Sequence, residues 1–179
     1  MGLLGLLRRK PFERTGFELY TTTVAAARSP ALFGQYAIPD TLEGRFDAIA
    51  LHVALLVHRL RHDADARGAP LAQAVFDAMF ADMDISLREM GVGDMSIGKR
   101  VKGMWEAFHG RARAYEAALD DTDHLALEDV LARNIWNGQA PDGAAALLAA
   151  RVRAFSAGLR RQRLDDLARG LVSYDMGAA

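Results

Sequence analysis

The sequence predicts an all-α fold, a single compact domain of about six helices around a central apolar helix. Three observations carry this reading. Apolar residues recur at steps of three and four along most of the chain, while the alternation of a half-buried strand is almost absent. At 179 residues the chain has the length of one domain and enough of it to bury a real core. A 51% hydrophobic composition excludes global disorder.

The first helix is expected from Phe17 to Arg28, ending before Ser29-Pro30, with the Thr21-Thr22-Thr23 run weakening it. An apolar loop, Leu32 to Pro39, follows and should pack down on the domain. Asp40 can cap the second helix, with Glu43 at capping-box spacing. Leu42, Phe46, Ile49, Val53, Leu56 and Leu60 make its main stripe, and Leu51 and Leu55 add a second side. A helix over about 42–62 that is apolar nearly all round belongs at the centre. The third helix is expected from Pro70 to Met90, with Phe76, Phe80, Met83, Leu87 and Met90 facing in and Gly91 as its stop. The fourth runs from Ser96 to Leu119 on the stripe Ile97, Val101, Met104, Phe108, Ala112, Tyr115 and Leu119. The fifth covers His124 to Trp136 and the sixth Asp142 to Arg169. Residues 1–14 are expected as a flexible N-terminus, 15–169 as the helical domain and 170–179 as a loose tail.

The N-terminus reads Leu3-Leu4-Gly5-Leu6-Leu7 and then Arg8-Arg9-Lys10. A secretory signal has its charges before a longer apolar run, and myristoylation calls for Ser or Thr where Leu6 stands. The segment can touch an anionic membrane surface or a partner, or be a frayed tail. The longest apolar stretch, Phe46 to Val57, is broken only by Asp47 and His52 and falls short of the roughly 20 residues of a membrane span.

The charge balance, 22 Lys+Arg against 23 Asp+Glu, argues against a protein made to coat nucleic acid, and no DNA partner is expected. The absence of cysteine excludes disulfides, cysteine-bound metals and thiol chemistry. No phosphate-binding or nucleophile-elbow motif is present, so no catalytic residue and no cofactor is expected. His58 and His62 stand at a metal-ligand spacing, but Arg59 and Arg61 flank them and no third ligand is evident. They read as polar residues of a helix end, and no metal is expected. His52, inside the most apolar helix, reads as a neutral imidazole bonded to a backbone carbonyl. Asp77, Asp82, Asp84 and Glu89 make the third helix acidic, with Asp84 and Arg88 spaced as an ion pair. Lys99, Arg100, Lys102, Arg111 and Arg113 make the fourth helix basic, and Arg151, Arg153, Arg160, Arg161 and Arg163 the sixth. These basic faces suit phosphate in RNA or lipid, or are simply solvated.

Family resemblance rests on ordered segments: Leu51-His52-Val53-Ala54-Leu55-Leu56 with Arg59-Leu60; Phe76 to Asp84; Leu87 to Asp94; Gly98 to Lys102; Ala107 to Arg111; Ala114-Tyr115; and Arg133-Asn134-Ile135. Together, from about Tyr20 to Trp136, they resemble the ubiquinol–cytochrome c chaperone family of bc-complex assembly factors. The resemblance implies a non-catalytic chaperone that binds newly made cytochrome b apoprotein. It also implies a ribosome contact and a small helical co-chaperone as possible partners. Without the Arg- and Ser-rich presequence of mitochondrial members, the chain resembles a bacterial member, acting peripherally at the cytoplasmic face of the inner membrane. The rival reading is a helical RNA- or anionic-membrane-binding module that uses the basic faces of the fourth and sixth helices.

A client of apolar helices and charged loops calls for an apolar groove with charges at its rim. Methionine adapts to such clients, and Met79, Met83, Met90, Met95 and Met104 gather on the third and fourth helices. The expected partner-binding residues are Trp105, Arg111, Tyr115, Asp82, Glu89, Lys102 and His109. Trp, Tyr and Arg dominate interface energetics. The alternative is that Trp105 caps the core edge and Arg111 pairs with Asp82 or Glu89.

Overall fold

The computed structural model describes residues 11–121 and 124–174 and, of residues 94, 95, 124 and 125, the backbone only. The N-terminal leucine–cation segment, the Met95 side chain and residues 175–179 therefore lie outside the described residues. Within them the chain forms eight helices and no strand. They are α1 (Glu13–Ala27), α2 (Pro30–Phe33), α3 (Leu42–Arg61), α4 (Gly68–Glu89), α5 (Asp94–Asp120), α6 (His124–Trp136), α7 (Ala144–Arg161) and α8 (Leu164–Leu167). The all-α expectation holds. The count exceeds six because two four-residue helices, α2 and α8, occupy what read as a loop and as the end of the sixth helix.

α1 starts a turn before Phe17 and survives its threonine run for a local reason. The hydroxyls of Thr21, Thr22 and Thr23 donate to the carbonyls of Phe17, Glu18 and Leu19 at 2.9, 3.1 and 2.7 Å. Each hydroxyl is thereby satisfied inside the helix. Gly16 lets α1 lie against α4, since a Cβ there would come within 2.5 Å of the Ala74 carbonyl carbon.

α3 is the central helix. Ala48, Val53, Leu56 and Leu60 are fully buried on it, Leu51 and Leu55 nearly so, and it packs on α1, α4, α5, α6 and α7. Its N-cap is Thr41, not Asp40. Thr41 is extended and its hydroxyl accepts from Gly44 N at 3.1 Å, while the Asp40 carboxylate accepts from Arg45 Nε at 2.6 Å. His52 sits as expected. Its Nδ1 lies 2.7 Å from the Ala48 carbonyl, and burial pushes its pKa down to about 4.

The inward stripe of α4 differs from the expected one. Leu71, Val75, Met79, Met83 and Leu87 are buried, whereas Phe76 and Phe80 are half-buried and Met90 is 55% exposed. Both sets obey helical spacing, and the approach of α1 and α3 decides between them. α4 ends as expected, with Gly91 at φ +78° and Val92 N donating to Leu87 O at 3.1 Å.

The expected helix from Asp142 to Arg169 is cut in two. Gln162 and Arg163 are extended, and Arg59 reaches over from α3 to carbonyls at the break. Its Nε donates to Leu159 O at 3.1 Å and its Nη2 to Gln162 O at 2.9 Å, while Nη1 holds Asp63 at 2.6 Å. Residues 170–174, expected loose, fold back. Gln162 and the Ser173 backbone exchange two hydrogen bonds, and the Tyr174 hydroxyl meets that of Thr23 at 2.8 Å. No helix among the described residues is long and apolar enough to cross a membrane.

Candidate binding groove

An open groove of about 1670 Å³ runs between the N-terminal half of α3, the C-terminal half of α4 and the first half of α5, with α1 and α2 at one end. Its apolar lining includes Phe33, Leu42, Phe46, Ile49, Met83, Leu87, Met90 and Met104. It stays open because the groove-lining positions Gly103 and Ala107 of α5 have almost no side chain, and nothing lies within 4 Å of where a Cβ at Gly103 would be. Leu42 and Met90 are 66% and 55% exposed, so two large apolar side chains stand free at its edge.

Two polar pairs are set into this surface. The Arg111 guanidinium donates to the Asp47 carboxylate, joining α5 to α3. Burial pushes the Asp47 carboxyl above its usual value, and the attraction of Arg111 offsets this only in part. The Tyr20 hydroxyl donates to Asp82 at 2.7 Å, and burial together with that carboxylate holds the phenol well above its usual pKa. Arg28, Glu43, Arg45 and Arg100 complete a charged lining of both signs.

The seven expected partner-binding residues fall into four places. Arg111 and Asp82 line the groove, but Arg111 pairs with Asp47, not with Asp82 or Glu89. Trp105, Lys102 and His109 form a neighbouring face of α5 outside the groove lining. There the Trp105 and His109 rings lie 3.9 Å apart, His109 meets Phe76 at 5.0 Å, and Lys102 lies 3.8 Å from Glu106. Glu89 is exposed near the end of α4 and does not line the groove. Tyr115 is 2% exposed and belongs to the core, so a partner cannot touch it while the domain is folded. Helical spacing placed Arg111 and Tyr115 together on α5 but could not show that Tyr115 is buried in the core.

Sequence reasoning missed Phe33, Phe46, Asp47 and Ile49 as groove residues. Asp47 gave the available signal, a carboxylate inside an otherwise apolar run. The basic faces are partly absorbed by the fold. Arg160 pairs with Asp120 at 3.8 Å and Arg163 with Asp165 at 3.2 Å, while Arg151 stacks on Phe155 at 4.3 Å.

Fold and groove together define a helical domain with one open apolar groove described along α3, α4 and α5. Residues 35–174 match the family described as ubiquinol-cytochrome C chaperone, and the chain belongs to that family of assembly factors for the reductase complex. It is 24% identical over 144 residues to ubiquinol-cytochrome-c reductase complex assembly factor 1 of Xenopus laevis, covering 79% of this chain and 71% of that protein. The crystal structure of the Cbp3 homolog from Brucella abortus superposes with a TM-score of 0.81 at 38% identity, covering 98% of each chain.

Proposed function

We propose that the chain binds newly made cytochrome b apoprotein in the α3–α4–α5 groove during assembly of the ubiquinol–cytochrome c reductase complex, at the cytoplasmic face of the inner membrane. The observation that carries this reading is the groove itself, an open apolar surface edged by exposed Leu42 and Met90 and bounded by charges of both signs. A client of apolar helices and charged loops meets its complement there, and flexible methionines accommodate helices of differing shape. The protein acts by shielding apolar surface until the client is inserted and paired, so no bond is made or broken. The rival reading, an RNA- or anionic-membrane-binding face, is weakened by the pairing of Lys102, Arg160 and Arg163 with neighbouring carboxylates.

The test is a tagged full-length chain expressed in cells lacking the native gene. The wild type should bring down cytochrome b and restore the assembled complex. Leu42→Asp with Met90→Asp should leave the melting temperature nearly unchanged, abolish capture and lower the complex. The outer-face variant Trp105→Ala with Lys102→Ala should retain capture. Capture lost in the outer-face variant and kept in the groove variant would move the binding surface to Trp105. Normal reductase levels in the deletion strain would refute the assembly role.

A further inference from the structure

The last turn of α3 and the second half of α5 bring together a set of side chains that groove binding does not use. Glu116 Oε1 lies 3.2 Å from His62 Nε2 and 3.5 Å from His58 Nδ1, and the three ligand atoms all lie within 4.8 Å of one another. We infer that His58, His62 and Glu116 form a site for a divalent transition metal, of which Zn²⁺ is the type, clamping α5 to the end of the central helix.

Four observations support this. The first is geometric. Metal bonds of ~2.0–2.1 Å in a tetrahedron place neighbouring ligand atoms roughly 3.3 Å apart, and both histidine–glutamate distances match that edge. The two histidine nitrogens lie within 4.8 Å of each other, so a small closing movement brings them to the same spacing. The second is an unpartnered atom. The His58 side chain is only 10% exposed, and its Nδ1 is buried and makes no hydrogen bond, with Glu116 at the outer limit of reach. A buried imidazole nitrogen aimed at a carboxylate is satisfied by a cation between them.

The third observation is tautomeric. His62 Nδ1 lies 2.9 Å from the His58 carbonyl. Donating its proton there leaves the Nε2 lone pair facing Glu116, the arrangement in which a backbone carbonyl orients a ligating imidazole. The fourth is electrostatic. Glu116 and Asp120 add negative charge around His58, while Arg160 opposes them and is itself drawn to Asp120 at 3.8 Å. Two imidazoles and one carboxylate suit Zn²⁺, Co²⁺ or Ni²⁺ and do not suit Mg²⁺ or Ca²⁺, which prefer oxygen ligands. With three protein ligands, a water completes the fourth position. The sequence spacing supplied two of the ligands, and the third comes from a helix that only the fold places opposite them.

The experiment uses the full-length chain without a histidine tag, stripped with a chelator and titrated with Co²⁺ and then Zn²⁺ near neutral pH. One equivalent of Co²⁺ should bind with the visible absorption of a four-coordinate site, Zn²⁺ should displace it, and Zn²⁺ should raise the melting temperature. Glu116→Gln and His62→Ala change partly exposed groups, so the metal-free variants should melt close to the wild type. Each should weaken Zn²⁺ binding by at least about tenfold and lose the thermal shift. The inference is overturned if the wild type binds no Zn²⁺ under these conditions, or if Glu116→Gln binds as tightly as the wild type. In either case the cluster is a pH-dependent ion pair and nothing more.

Discussion

The two halves of α3 meet the rest of the domain in opposite ways. Around its C-terminal half every partner closes in. Arg59 is spent on two backbone carbonyls of the α7 end and on Asp63, and the folded-back segment reaching Tyr174 covers His52. Around its N-terminal half the neighbours stand apart, leaving Phe46 and Ile49 to line a groove whose charged pair, Asp47–Arg111, sits at its wall. Charged groups are used at both ends, but for different work. Arg59 ties the Leu159 and Gln162 carbonyls at the α7 end to α3 and to Asp63, so it fixes structure. Asp47 carries the cost of burial and Arg111 only moderates it, so this pair holds α5 in place without contributing much net stability. The closed end is held by side chains reaching across from α3, and the open end leaves apolar surface uncovered.

That contrast can be broken most strongly at the shared middle of α3. Leu56 is fully buried, and Leu56→Asp should unfold both halves together, by more than about 4 kcal/mol. A variant retaining helical circular dichroism and a cooperative melt would place α3 at the periphery.

Acid sharpens the comparison at the closed end. His52 is neutral in the fold, its pKa pushed down from 6.5 to about 4 by burial. Between those values the unfolded chain binds a proton that the folded chain refuses, so stability falls as the pH drops through that window. The loss is on the order of 3 kcal/mol, fully developed near the lower value. Denaturant titrations from pH 7 to pH 4 should show this slope, and His52→Gln should flatten it.

Arg59→Ala should cost about 2 kcal/mol in a urea titration, because the Gln162 carbonyl loses the Arg59 donor while the Leu159 carbonyl and Asp63 keep only their backbone donors, Gln162 N and Asp65 N. Arg59→Lys should restore only part of the loss, since an ammonium cannot span the guanidinium's three acceptors. A neutral Arg59→Ala would mean that water replaces the side chain and that this end is not closed.

The smallest effects belong to the groove pair. Arg111→Ala should cost about 1–2 kcal/mol by stranding the buried carboxylate of Asp47. Asp47→Asn should cost under about 1 kcal/mol, and adding it to Arg111→Ala should recover part of the loss. Equal losses from the two single variants, with no recovery in the double, would show that the pair is held for stability like Arg59.

Much of the fold was legible in the sequence because its signals are local. The apolar run from Phe46 to Val57 identified the central helix, Gly91 marked the end of α4, and the Asp84–Arg88 pair forms at 2.7 Å as its spacing implied. The family was legible as well, in short segments from Leu51 to Ile135 whose order matched. The groove was legible only in part. Met83, Met90, Met104, Asp82 and Arg111 line it, but Tyr115 lies in the core and Trp105 on the neighbouring face.

Periodicity by itself determined that the chain is helical, which helix is central and roughly where every long helix but the last stops, since steps of three and four and the stop residues act within a single helix. Tertiary structure decided which of two equally periodic stripes of α4 turns inward, because that depends on where α1 and α3 approach. It also decided that the last long helix breaks at Gln162, where Arg59 takes the exposed carbonyls, and that Arg111 meets Asp47 rather than an acid of α4. The same holds for Glu116, which reaches His58 and His62 only because α5 packs along α3. A helix fixes the directions of its own side chains, and what each direction meets is set by neighbours distant in the chain.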